Sequence, residues 1–145
     1  MIKLFTIGFT KTTAESFFTR LKNAGVRKVI DVRLNNVSQL AGFAKKDDLA
    51  YFLRSICGIA FEHRPELAPT QDILDAYKKH GGDWTAYAER FTDLMIKRRI
   101  HELISRESLD RACLLCSEDK AQHCHRRLVA ELLKQKWGDV AISHL

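Results

Sequence analysis

Residues 116 to 126 read Cys-Ser-Glu-Asp-Lys-Ala-Gln-His-Cys-His-Arg, and they gather two thiols, two imidazoles, carboxylates and a guanidinium into eleven positions. Three chemistries fit such a set. Cys116 or Cys124 can act as a nucleophilic or redox-sensitive thiol, activated by His125 or by an arginine. Glu118, His125 and His144 can move protons, because imidazole titrates near working pH. Cys116, Cys124 and His125 can together ligate zinc. The Cys-x5-Arg loop of thiol phosphatases and sulfurtransferases is absent, since Gln122 stands where the arginine would be.

Cys113-x-x-Cys116 has the spacing of a zinc half-site. It lies in an apolar run that reads as a strand, and side chains three apart in a strand point to opposite faces. Cys113, together with Cys57 at a helix end, therefore reads as a buried small hydrophobe. Absence of a secretory leader argues for a reducing cytoplasm, where thiol or metal chemistry is favoured over a disulfide framework. The residue pattern selects no metal, so the site residues are expected to act without one, and it names no cofactor.

The elements that must position these groups follow from periodicity. Strands are expected over 3–8, 26–32, 59–64, 111–117 and 140–144, the second and fourth near-continuously apolar. Between them lie helical patterns: Ala14, Phe17, Phe18 and Leu21, opened by a Thr12/Glu15 capping box and stopped by Gly25; Leu49, Phe52, Leu53 and Ile56, stopped by Gly58; and Ile73, Leu74 and Tyr77, opened by Thr70 and ended by Gly81-Gly82. Asp83 caps a long pattern reaching about Arg106, whose two halves turn apolar residues to nearly opposite sides, so it packs on two sides or breaks near Lys97. A last helix is expected over 120–137, with Asp119 and Gln122 as its capping box. Alternating strands and helices imply an α/β fold: one domain over residues 1–145, with a mostly parallel central sheet of about five strands flanked by helices in three layers.

Open parallel sheets take ligands beyond the carboxyl ends of their strands. Those ends here carry Gly8-Phe9-Thr10, Asp31 and Arg33, His63 and Arg64, Cys116 and Glu118, and His144. At about 100° per residue, His125 falls centrally on the apolar face of the last helix. Cys124 and Arg126 flank it, while His123 and Arg127 point to solvent. Gly8, Asp31, Arg33, Ser38 and Arg126 form the expected anion-binding half of the site, with Arg33 and Arg126 as the clamp and Asp31 orienting Arg33 or His144 or binding a divalent ion. Cys116, Glu118, Cys124, His125 and His144 form the reactive half.

The net charge of +6 favours an anionic partner. No apolar run approaches the roughly 20 residues needed to cross a bilayer, so a cytoplasmic protein with no membrane partner is expected. Thr6-Ile7-Gly8, Asp31-Val32-Arg33, Ser38, Cys116-x-Glu118, Cys124-His125-Arg126 and His144 occur in the order found in the domain of unknown function 488 family, which the chain resembles over nearly its whole length. Leu34-Asn35-Asn36 replaces a proline frequent in that family after Asp-Val-Arg. The resemblance implies a small prokaryotic-type cytoplasmic protein with its functional residues at the positions just named, and it implies no reaction. Two functions fit these residues. One is an enzyme, or enzyme-derived protein, binding a nucleotide, nucleic-acid component or phosphorylated substrate at the sheet edge. The other is a non-catalytic nucleic-acid-binding or regulatory module with a structural Cys/His metal site.

Overall fold

A computed structural model describes residues 1–37, 42–79 and 81–145. Five strands, β1 (Ile2–Gly8), β2 (Lys28–Asp31), β3 (Ala60–His63), β4 (Ala112–Cys116) and β5 (Val140–His144), form one sheet in the order β3-β2-β4-β1-β5. Every pairing is parallel, so the expected mostly parallel sheet is wholly so. Such sheets need both faces covered. Helices α1 (Ala14–Ala24) and α2 (Lys46–Phe52) cover one face; α3 (Gln71–Lys79), α4 (Trp84–Arg98), α5 (Ile100–Leu103) and α6 (His125–Trp137) cover the other.

Strand alternation divides β4 between the two cores. Ala112, Leu114 and Cys116 belong to the core under α3–α6, and Cys113 and Leu115 to the core under α1 and α2. The two thiols thus lie on opposite sides of the sheet, as the spacing requires. Cys113 is fully buried, and burial pushes its thiol far up, so it is a packed apolar group.

Helix ends follow local chemistry, with two corrections. Thr13, not Thr12, is the N-cap of α1 and accepts from the Ser16 amide at 3.1 Å, while the Thr12 hydroxyl accepts from Arg20. Of the two courses expected for the pattern reaching Arg106, the break near Lys97 is the one taken, at Arg99, whose φ of 54° separates α4 from α5 and lets the apolar side chains change direction. The Asp119/Gln122 capping box does not form: α6 begins at His125, with Cys124 as an N-cap that makes no side-chain cap bond. The reason is Arg126, whose guanidinium draws the Glu118 and Asp119 carbonyls inward and holds residues 117–124 as a loop.

In-register parallel pairing brings the strand ends together. Gly8 lies beside Cys116, Thr6 beside His144, and Asp31 beside both Leu115 and His63. The edge expected from the sequence exists, and the first residues of α6 stand over it.

Candidate functional site

Above the carboxyl ends of β2 and β4 lies a cleft of about 380 Å³, lined by residues from the β2 loop, α3, α4, the 117–124 loop and α6. Cys116, Glu118, Cys124, His125 and Arg33 all line it. Gly8, Asp31, Arg126 and His144 do not, and Ser38 lies outside the described residues.

The floor is sulfur and imidazole. Cys116 ends β4, Cys124 caps α6, and their sulfurs are joined as a disulfide across Cα atoms 7.3 Å apart. The disulfide differs from the expectation of reduced thiols; Arg126 folds the intervening loop back so that two cysteines eight residues apart meet. His125 is buried, and its Nε2 lies 2.7 Å from the Val32 carbonyl, which can only accept. Nε2 therefore carries the proton, and the neutral ring turns the lone pair of Nδ1 toward Cys116 Sγ, 4.0 Å away. Burial lowers the His125 pKa to about 4, so the ring is neutral at pH 7.

Arg33 lines the cleft with its guanidinium paired to Asp31. Asp31, fully buried, accepts from Arg33 Nε and NH2 at 2.8 Å each, from the Arg33 amide at 3.1 Å and from Asn36 at 3.1 Å. Of its expected roles, Asp31 thus performs the orienting of Arg33. The Arg33 guanidinium lies 5.1 Å from the Phe9 ring centroid and also donates to the Ala44 carbonyl. Its remaining nitrogen, NH1, is buried and has no hydrogen-bond partner among the described residues. A buried donor left unpaired costs about 1–3 kcal/mol.

Arg126, expected as the second half of the clamp, works inside the fold. It is fully buried and donates to the Thr6 hydroxyl and to the Glu118 and Asp119 carbonyls. Burial lowers its pKa to about 10, which leaves it a cation at neutral pH. Thr6 Oγ1 accepts from Arg126 and shares a second hydrogen bond with His144 Nδ1, 2.6 Å away. Arg126, Thr6 and His144 thus tie α6 to β1 and β5. Gly8 belongs to the same device: a Cβ there would meet the Glu118 carbonyl oxygen at 1.5 Å. The glycine exists to let the loop cross over β1. Glu118 pairs with Arg126 through its backbone, and its side chain stands exposed at the cleft.

The opposite wall is aromatic, and the sequence reading did not place it at the site. Tyr77 of α3 and Trp84 and Tyr87 of α4 line the cleft with His123 and Lys78. Trp84 stacks on Tyr87 with centroids 5.2 Å apart and on His123 at 5.0 Å, and Tyr77 lies 4.9 Å from Tyr87. His123 is exposed, as helical phasing predicts, yet it packs flat on an indole. The signal available was the bunching of three aromatic residues about the Gly81-Gly82 turn.

Comparison with curated proteins and with solved structures finds no match for this chain. A family model does match, over residues 13–133, which include the cleft's Arg33, aromatic wall and Cys–His floor. The chain belongs to the family defined by the domain of unknown function DUF488.

Proposed function

We propose that the cleft binds an anion carrying a flat ring, a nucleotide or nucleic-acid component, and presents it to the Cys116–Cys124–His125 floor as an enzyme or enzyme-derived binding protein does. One observation carries this reading: Arg33, whose NH1 has no partner among the described residues, shares the cleft with an aromatic wall and an imidazole whose lone pair faces sulfur. Ring stacking on aromatic side chains contributes about 1–3 kcal/mol per base, and an arginine–phosphate contact adds a charge-assisted bond. Lys78 adds a second, exposed cation. When the sulfurs are reduced, the lone pair of His125 Nδ1 faces the Cys116 thiol.

Calorimetric titration with nucleoside mono- and diphosphates, short oligonucleotides and inorganic phosphate tests this. Wild-type protein is expected to bind a nucleotide more tightly than phosphate, and Trp84→Ala and Lys78→Ala each to weaken that binding at least about tenfold. Equal affinity in wild type and Trp84→Ala, or no binding of any of these ligands, sinks the reading. Preference for a single-stranded oligonucleotide with steep salt dependence identifies the nucleic-acid module instead.

A further inference from the structure

We propose that in the reduced protein Cys116 Sγ, Cys124 Sγ and His125 Nδ1 hold one zinc ion whose fourth coordination position opens into the cleft. The three ligand atoms lie within 4.8 Å of one another, and all three residues are buried yet line the cleft. A tetrahedral ion with bonds of about 2.0–2.3 Å needs ligand atoms roughly 3.3–3.8 Å apart. Cys116 Sγ and His125 Nδ1 stand at 4.0 Å, so closure asks that the two sulfurs separate and that Cys124 Sγ, within 4.8 Å of the imidazole, draw in toward it. The backbone suits that: Cα atoms 7.3 Å apart are wider than the roughly 4.4–6.8 Å usual for disulfide partners.

The imidazole is already set as a ligand. Its Nε2–H is held by the Val32 carbonyl, the outer contact that fixes tautomer and ring direction at metal sites, and this leaves Nδ1 as the coordinating atom. Cys116 is anchored by a central strand and Cys124 and His125 by a helix start, so the ligands sit on firm elements. Two thiolates and a neutral imidazole balance the charge of Zn²⁺, which a buried site favours. Three protein ligands with an open position is the pattern of catalytic rather than structural zinc.

The disulfide and the metal exclude each other. A phosphine reductant cleaves the S–S bond and takes oxygen from water to become its oxide. The two hydrogens of that water end on the two sulfurs. Zinc then displaces both thiol protons. This inference goes beyond the ligand reading and stands on the floor geometry alone.

The test uses the full chain, reduced with a phosphine, stripped with a chelator and titrated without oxygen with Co²⁺ alone and then Zn²⁺. One Co²⁺ per chain is expected, with a thiolate-to-metal charge-transfer band and the visible bands of a tetrahedral ion, both abolished by Zn²⁺. Cys124→Ser and His125→Ala are expected to weaken binding at least about tenfold, and Cys57→Ser to leave it unchanged. The oxidised wild type, identical in sequence, is the control that needs no variant to fold, and it is expected to take up no cobalt. Reduced wild type that shows no thiolate band, or that binds Co²⁺ no more tightly than His125→Ala, overturns the proposal. Nucleotide binding by the metal-free protein is read separately, so its failure sinks the ligand reading and leaves the metal result standing.

Discussion

Two residues show how closely the site is tied to the stability of the fold. In the metal-free protein His125 is held neutral, with a pKa lowered to about 4 by burial, while an unfolded histidine protonates near 6.5. Between those values the unfolded chain binds more protons than the native one. The stability present above about pH 6.5 therefore falls as pH drops and levels off below about pH 4, by roughly 3 kcal/mol at full effect. Urea unfolding across that range is expected to show this loss in the metal-free wild type and a shallower one in His125→Gln. Gly8 makes the complementary point. An alanine there must push away the backbone of Glu118, and with it the acceptor that Arg126 depends on. Gly8→Ala is expected to cost at least about 2–3 kcal/mol, read as a lower urea midpoint with an unchanged slope.

The element that most directly shapes the cleft is α4. Asp83 caps it, accepting from the Ala86 amide at 3.2 Å, and Trp84 is its first residue. The aromatic wall thus depends on one exposed carboxylate. Asp83→Ala is expected to lower stability by about 1 kcal/mol and to speed amide exchange in the first turn of α4, leaving the last turn near wild type. The start of α6 works differently. No side chain caps it, and the fold instead secures it through Arg126, whose bonds to Thr6 and to the Glu118 and Asp119 carbonyls hold the loop. A buried cation does here what a capping box was expected to do.

Across the whole molecule, β4 is the hinge between the two cores. It pairs with β1 and β2, faces α3–α6 through Leu114 and α1–α2 through Cys113 and Leu115, and delivers Cys116 to the cleft. Leu114 is fully buried. Leu114→Ala is expected to destabilise by about 2–5 kcal/mol, as large-to-small changes in close-packed cores do, measurable by denaturant unfolding. A loss below about 1 kcal/mol would mean that the layers collapse around the void more freely than close packing allows.

Strand positions, most helix boundaries, the opposed faces of Cys113 and Cys116, and the meeting of Gly8, Asp31, Cys116 and His144 along one sheet edge were all legible in the sequence. Each depends on short-range rules, periods of 2 and 3.6 and the turn chemistry of glycine and caps, which a segment expresses by itself. The tertiary structure alone decided that Arg126 turns inward to Thr6, 120 residues away, rather than toward an anion. It also decided that Trp84 and His123 build one wall of the cleft and that Cys116 meets Cys124. These are contacts between segments that no local pattern encodes, and they are settled by which buried donors, rings and sulfurs find partners once both faces of the sheet are covered.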